Sequence, residues 1–192
     1  MVEAVGIIPA RGGSVRVPRK NLREVGGKPL IQWTIEAAQE SLLWRVVVST
    51  EDVEIATLAR RLGADVVPQP MDSALSGTKS APVVLSALDY LRDTEGYDPS
   101  LVCLLHPTSP FRQAEHIDLA LRLHAQYRAA SVISTTNDTL NGAIYLTTVE
   151  RFRMANSFFV WPICPLNIPM PHGLDIDEWA DLEAAREIAG TL

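Results

Sequence analysis

Short apolar runs alternate along this chain with segments whose apolar residues recur every three to four positions. Val5 to Ile8 is the first run. Arg45 to Ser49, Ala64 to Val67, Leu101 to Leu105, Ser131 to Ser134 and Ala143 to Thr147 follow, several of them rich in β-branched residues that suit a pleated sheet. Helical spacing covers Pro29 to Ser41, Asp52 to Leu62, Ser80 to Arg92, Gln113 to Arg128 and Glu178 to Ala189. In the first of these, Leu30, Ile31, Trp33, Thr34, Ala37 and Ala38 form one stripe, and Pro29 fits the opening turn. Gly63 stops the second helix. The alternation predicts an α/β fold with a mostly parallel sheet, as one domain over residues 1–192. Thr135 to Gly142 reads as a polar turn, and Phe158 to Pro171, with four prolines, as irregular chain.

Charge changes the picture at one place. The chain carries a net charge of -6, yet six of its 17 Lys and Arg residues fall between Arg11 and Lys28, against one acid, Glu24. That stretch begins where the first strand ends and contains Gly12 and Gly13. Glycines let backbone amides approach phosphate oxygens, and Arg and Lys add charge, so the loop predicts a small polyanion site. The pI of 5.2 excludes a broad nucleic-acid face, which needs extended neutralisation of phosphates. No apolar run is long enough to span a membrane, and the first residues lack a signal-peptide pattern; with two isolated cysteines, Cys103 and Cys164, a cytoplasmic protein is expected.

In parallel α/β sheets ligands bind beyond the carboxyl ends of the strands. The loops after the first four strands (Arg11 to Lys28, Ser49 to Glu51, Pro68 to Lys79, His106 to Arg112) are therefore expected to meet on one rim. Asp175 and Asp177, two apart, project to one side of extended chain and can share a divalent cation, with Asp181 one helical turn on. The competing reading makes Asp177 a helix cap and Asp175 a solvated acid. Other chemistries fit poorly. Gly26-Gly27-Lys28-Pro29 is not a P-loop, no G-x-G-x-x-G is present, the four histidines share no ligand spacing, and Ser14, Ser49 and Ser109 lack a paired base. A cationic loop and a carboxylate pair on one rim suggest nucleotidyl transfer, which relies on positioning and charge stabilisation.

Five stretches, in order, resemble the cytidylyltransferases that make CMP-activated acidic sugars, the CMP-sialic acid synthetases and their nonulosonic-acid relatives. They are IIPARGGSVRVPRKNL (Ile7 to Leu22), VVSTEDVEI (Val47 to Ile55), LLHPTSPFR (Leu104 to Arg112), NGAIY (Asn141 to Tyr145) and LDIDEWAD (Leu174 to Asp181). The resemblance implies a three-layer α/β/α, Rossmann-like nucleotidyltransferase fold and attack by an acidic acceptor on the α-phosphate of CTP, with loss of pyrophosphate. It implies Arg11 and Lys20 as catalytic residues. Ala10, Arg11, Gly12, Gly13, Ser14, Lys20, Asn21, Gln69, Ser80 and His106 are implied around the nucleotide. Arg16, Arg19, Thr108, Ser109 and Arg112 are expected near the acceptor, and Asp175 and Asp177 on Mg2+ or Mn2+. Small-molecule substrates are the expected partners, with a homodimer left open.

The departures are specific. Val15 stands where the family usually has lysine, with Arg16, Arg19 or Lys79 as possible substitutes; Gln69 replaces an arginine, His106 a glutamine and Glu51 an aspartate. The long acceptor-binding and dimerisation segment expected between residues 134 and 141 is reduced to Thr135 to Leu140. The leading expectation is accordingly a cytidylyltransferase for a compact acid, such as a phosphonate of the phosphonoformate kind. The alternatives are a sialic or nonulosonic acid acceptor, and a non-catalytic nucleotide-binding relative.

Overall fold

The computed structural model describes residues 3–70 and 80–191. Its elements in chain order are β1 (Ala4–Pro9), a 3-10 turn (Lys20–Leu22), β2 (Glu24–Val25), β3 (Lys28–Pro29), α1 (Leu30–Gln39), β4 (Arg45–Thr50), α2 (Val53–Arg61) and β5 (Asp65–Pro68). These are followed by α3 (Ser80–Glu95), β6 (Leu101–Leu104), α4 (Ala114–Tyr127), β7 (Ser131–Thr136), β8 (Thr139–Thr148), α5 (Val149–Ala155), β9 (Ile163–Asn167) and α6 (Trp179–Ala189). Seven strands form one sheet in the order β5-β4-β1-β6-β8-β7-β9, and β2 and β3 make a separate ribbon. β5, β4, β1 and β6 run parallel, β8 runs antiparallel to both neighbours, and β9 lies parallel to β7 at the edge.

Alternation along β1 explains the layers. Ala4 and Ile8 face one side, with Ile31, Ile35 and Ala38 of α1, Ile55 and Leu58 of α2, and Ile117 of α4. Val5 and Ile7 face the other, with Val84, Leu88 and Leu91 of α3 and Phe152 of α5. Helices thus cover both faces, as a buried parallel sheet requires. A third cluster, Val17, Val25, Leu30, Phe111, Ile176, Leu182 and Ala185, fastens α6 and the Asp175 segment to the first loop. No helix among the described residues is long and apolar enough to cross a membrane.

Two segments differ from the sequence expectation, and a third adds to it. The polar turn expected over Thr135 to Gly142 is present but shorter: β7 and β8 extend into the stretch and close in a two-residue turn at Asn137 (φ 49°) and Asp138 (φ 63°). Two successive left-handed residues make the hairpin turn whose twist matches the strands, and Asn and Asp tolerate it. Phe158 to Pro171 contains β9, which tolerates Pro165 because an edge strand can do without one amide. Val149 to Ala155 forms α5, capped by Thr148, whose hydroxyl accepts from the Arg151 amide at 3.2 Å.

Candidate active site

Parallel β1, β4, β5 and β6 bring their carboxyl ends to one edge of the sheet, and a cleft of about 570 Å3 opens there. Pro9, Arg11, Ser14, Arg16, Lys20 and Asn21 line it from the first loop, Gln69 from beyond β5, and Ser80 and Val83 from α3. His106, Pro107 and Thr108 enter after β6, and Asp175 and Asp177 complete the lining, Asp177 beside Arg16 and Lys20. The cationic loop and the acidic pair therefore share one cavity. Lys79 and residues 71–79 lie outside the described residues.

Charges in the cleft are interlocked. Asp177 receives Arg16 at 3.1 Å and Lys20 at 3.4 Å, and Lys20 Nζ also donates to the Ile176 carbonyl at 2.6 Å. Asp175 lies deeper. Burial and, next, the charge of Asp177 hold its carboxyl above the usual range, while Thr108 and Lys20 act in the other direction. Its Oδ1 is buried without a hydrogen-bond partner among the described residues. Such an acceptor fits a cation, and Mg2+ is commonly held by one or two carboxylates together with substrate phosphates and water. No cluster of three or more His, Cys, Asp or Glu among the described residues is placed to hold a metal, so substrate oxygens would have to complete the shell. Asp181 does not join the pair: its Oδ2 accepts the Asp177 and Glu178 amides, both at 2.8 Å, and caps α6.

The half-buried His106 places Nε2 2.9 Å from Ser80 Oγ. Burial pushes its pKa down to about 4, against an opposing backbone hydrogen bond to Gly142, so the imidazole is neutral at pH 7. Asn21 is buried. Its Nδ2 donates to the Arg11 carbonyl at 3.0 Å, while its Oδ1 has no partner among the described residues. Val15, in the expected lysine position, lies 69% exposed on the lip of the cleft, and Arg16, itself largely exposed, is the neighbouring cation that reaches Asp177.

Several expected site residues lie elsewhere. Arg112 is only 2% exposed and sits beneath the rim, where its Nη1 donates to the carbonyls of Ala143 (2.7 Å) and His106 (3.3 Å). Ala143 lies beyond the last β6–β8 pair, Leu104 with Tyr145, so the guanidinium takes over where the ladder ends. Ser109 is fully buried. Arg19 turns away, bonding Asp52 at 2.5 Å and also Glu54 at the start of α2. Asp52 meanwhile caps α2 by accepting the Glu54 and Ile55 amides at 3.0 Å. Ala10 is buried and its amide donates to the Ser49 carbonyl. The Gly12 amide donates to Glu51 Oε1 at 2.8 Å, so the loop after β4 meets the glycine loop from behind instead of reaching the cleft. In the sequence Glu51 is legible as a charge ending a strand and as the residue in an aspartate position of the family, neither of which indicates its bond to the Gly12 amide.

A cationic glycine loop and two acids in one cleft at the carboxyl edge of such a sheet suit a nucleotidyltransferase. Comparison with known proteins narrows this: the chain belongs to the cytidylyltransferase family, whose sequence model matches residues 5–155. It is 33% identical to the CMP-N,N'-diacetyllegionaminic acid synthase of Legionella pneumophila, with 96% of each chain covered. That alignment runs over 226 residues, more than the 192 here, so the relative carries segments this chain lacks. The N-acylneuraminate cytidylyltransferase of Escherichia coli is 28% identical over 94% of this chain, which spans about half (51%) of that protein. In fold, a CMP:2-keto-3-deoxy-manno-octonic acid synthetase complexed with CTP superposes with a TM-score of 0.71 at 17% identity, covering 98% of this chain and 99% of that one.

Proposed function

We propose that this cytidylyltransferase transfers the cytidylyl group of CTP to a sugar acid of the nonulosonic type. The observation that carries the reading is the cleft itself, in which Arg11, Arg16 and Lys20 face Asp175 and Asp177. An acceptor oxygen forms a bond to the α-phosphorus, the α–β bridging bond breaks, and pyrophosphate leaves with the electron pair. Arg11 and Lys20 hold the triphosphate and offset the charge that builds on the leaving group. Gly13 and Ser14 lie along the phosphates, and Asn21, Gln69, Ser80 and His106 around the nucleoside. Arg16 and Thr108 face the acceptor. Asp175 and Asp177 are the residues that would hold a divalent cation, Mg2+ or Mn2+, which screens phosphate charge when bound.

The relatives support the acceptor class, since both of those compared in sequence are named for acidic sugars of this type. They lend no support to the phosphonate expected from the sequence. One feature stands on that side, the two-residue turn where the acceptor-binding segment was expected. The test is pyrophosphate release from each of the four nucleoside triphosphates with Mg2+, against sialic, legionaminic and ketodeoxyoctonic acids and phosphonoformate. Release with CTP and a sugar acid is expected. Release with phosphonoformate alone would replace the acceptor, and saturable CTP binding without any release would defeat the catalytic reading.

A further inference from the structure

The peptide unit joining Arg11 to Gly12 is held at both of its polar atoms. Its carbonyl accepts from Asn21 Nδ2 at 3.0 Å, and its amide donates to Glu51 Oε1 at 2.8 Å. A peptide group is planar, so two bonds on opposite edges fix its orientation and, with it, the direction in which the Arg11 side chain leaves the backbone. A Cβ on Gly12 would run into the Asp52 carboxylate, which is itself held by Arg19 and by the amides it caps, so a larger residue would have to displace that contact. The loop is thus pressed against the start of α2, and Arg19 ties its far end to the same place through Asp52 and Glu54. Glu51 Oε2 is buried with no hydrogen-bond partner among the described residues, so the Gly12 amide, on Oε1, is the hydrogen bond the structure shows for this carboxylate.

From this geometry we propose that Glu51 is a positioning residue, which orients Arg11 toward the triphosphate by fixing the Arg11–Gly12 peptide plane; this rests on the CTP reading of the cleft. The proposal runs against simple electrostatics. A carboxylate close to a polyanion site repels the ligand, so charge alone says that removing it tightens binding. Positioning says the reverse. Without Glu51 the peptide keeps only the Asn21 bond at its carbonyl edge, its plane is less firmly set, and part of the ordering of Arg11 falls to the binding step.

The two effects separate by variant and by ligand. Glu51→Ala removes charge and acceptor together, whereas Glu51→Gln removes the charge but keeps an oxygen for the Gly12 amide. Calorimetric titration with CTP should show binding about tenfold weaker for Glu51→Ala, the scale of one charge-assisted hydrogen bond, with Glu51→Gln close to the wild type. CMP, which lacks the β- and γ-phosphates, should bind all three proteins alike, a pattern that general loosening of the fold does not produce. CTP binding to Glu51→Ala as tight as or tighter than to the wild type overturns the proposal, as does an equal loss for CMP. If Glu51→Ala does not fold, hydrogen exchange on the wild-type protein decides: the Gly12 amide should be protected, and exchange at an unprotected rate refutes the clamp. Failure of the wild type to bind CTP would instead count against the CTP site, and the Gly12 exchange would still judge the clamp.

Discussion

Replacing Gly173 by alanine tests how tightly the segment carrying Asp175 is seated. Gly173 has no left-handed backbone angle; its constraint is space. A Cβ there would meet Thr136 Oγ1 and the Ile168 carbonyl oxygen, and the overlap with that backbone atom is about 1 Å inside ordinary contact. Neither neighbour is free to yield. Thr136 Oγ1 donates to the Ile168 carbonyl at 2.7 Å and accepts from Asn141 Nδ2 at 3.0 Å, and the Ile168 amide donates to the Thr135 carbonyl at 2.7 Å. Overpacking of this kind costs about 1–3 kcal/mol, and the lost freedom of the unfolded chain returns about 0.4–1 kcal/mol. A net loss of about 1–2 kcal/mol lowers the melting temperature by about 2–8 °C in a domain of this size. The larger effect is on activity. Asp175, one of the two acids proposed to hold a cation, follows two residues later, and a misplacement of about 1 Å within an active site costs on the order of a hundredfold in rate. Circular-dichroism melts and CTP-dependent pyrophosphate release measure the two effects. Gly190→Ala, whose Cβ would find only ordinary contact, should match the wild type in both. A Gly173→Ala protein that melts within 1 °C of the wild type, with its turnover within about twofold, would refute the argument.

Two further outcomes follow from the site. His106 has its pKa pushed down to about 4 from an ordinary 6.5, so between these values the unfolded chain binds more protons than the fold, and stability falls as pH falls. The loss from pH 7 to below 4 is on the order of 3 kcal/mol, and urea unfolding at pH 7 and 4.5 should show a gentler decline in His106→Gln. Asp177→Asn removes a half-exposed partner of Arg16 and Lys20, so urea stability should move by less than about 1 kcal/mol. Mg2+-dependent turnover should be lost in the same variant, and unchanged turnover would remove Asp177 from the proposed metal pair.

The parallel half of the fold was legible because its strands are continuous apolar runs and its helices carry one apolar face. Ala64 to Val67 needed a shift of only one residue to match β5. β9 was hidden because Pro162, Pro165 and Pro169 argue against a strand, and only its place at the sheet edge makes Pro165 acceptable. At Asn137 and Asp138 polarity marks a turn, but not its two-residue length, which depends on left-handed backbone angles that the sequence leaves open. Among site residues, charge and position in the chain brought out Arg11, Arg16, Lys20, Asp175 and Asp177, all of which line the cleft. They could not tell that Arg112, equally charged and next to the same loop, is turned inward to carbonyls that the β6–β8 ladder leaves over. That depends on where one strand stops relative to its neighbour, which sequence alone does not give.

The turn at Asn137 and Asp138 also offers an engineering site. Thr136 and Thr139 are paired across the hairpin, so chain inserted between them would start and end a single strand spacing apart and leave the sheet register untouched. Closing a loop costs only about 0.6 kcal/mol for each doubling of its length. Growing two residues to roughly thirty is then an expense of about 2–3 kcal/mol, within the 5–15 kcal/mol reserve of an ordinary domain. Chain of that length could therefore be inserted at this one position as an interchangeable module, with the seven-stranded sheet left as it is.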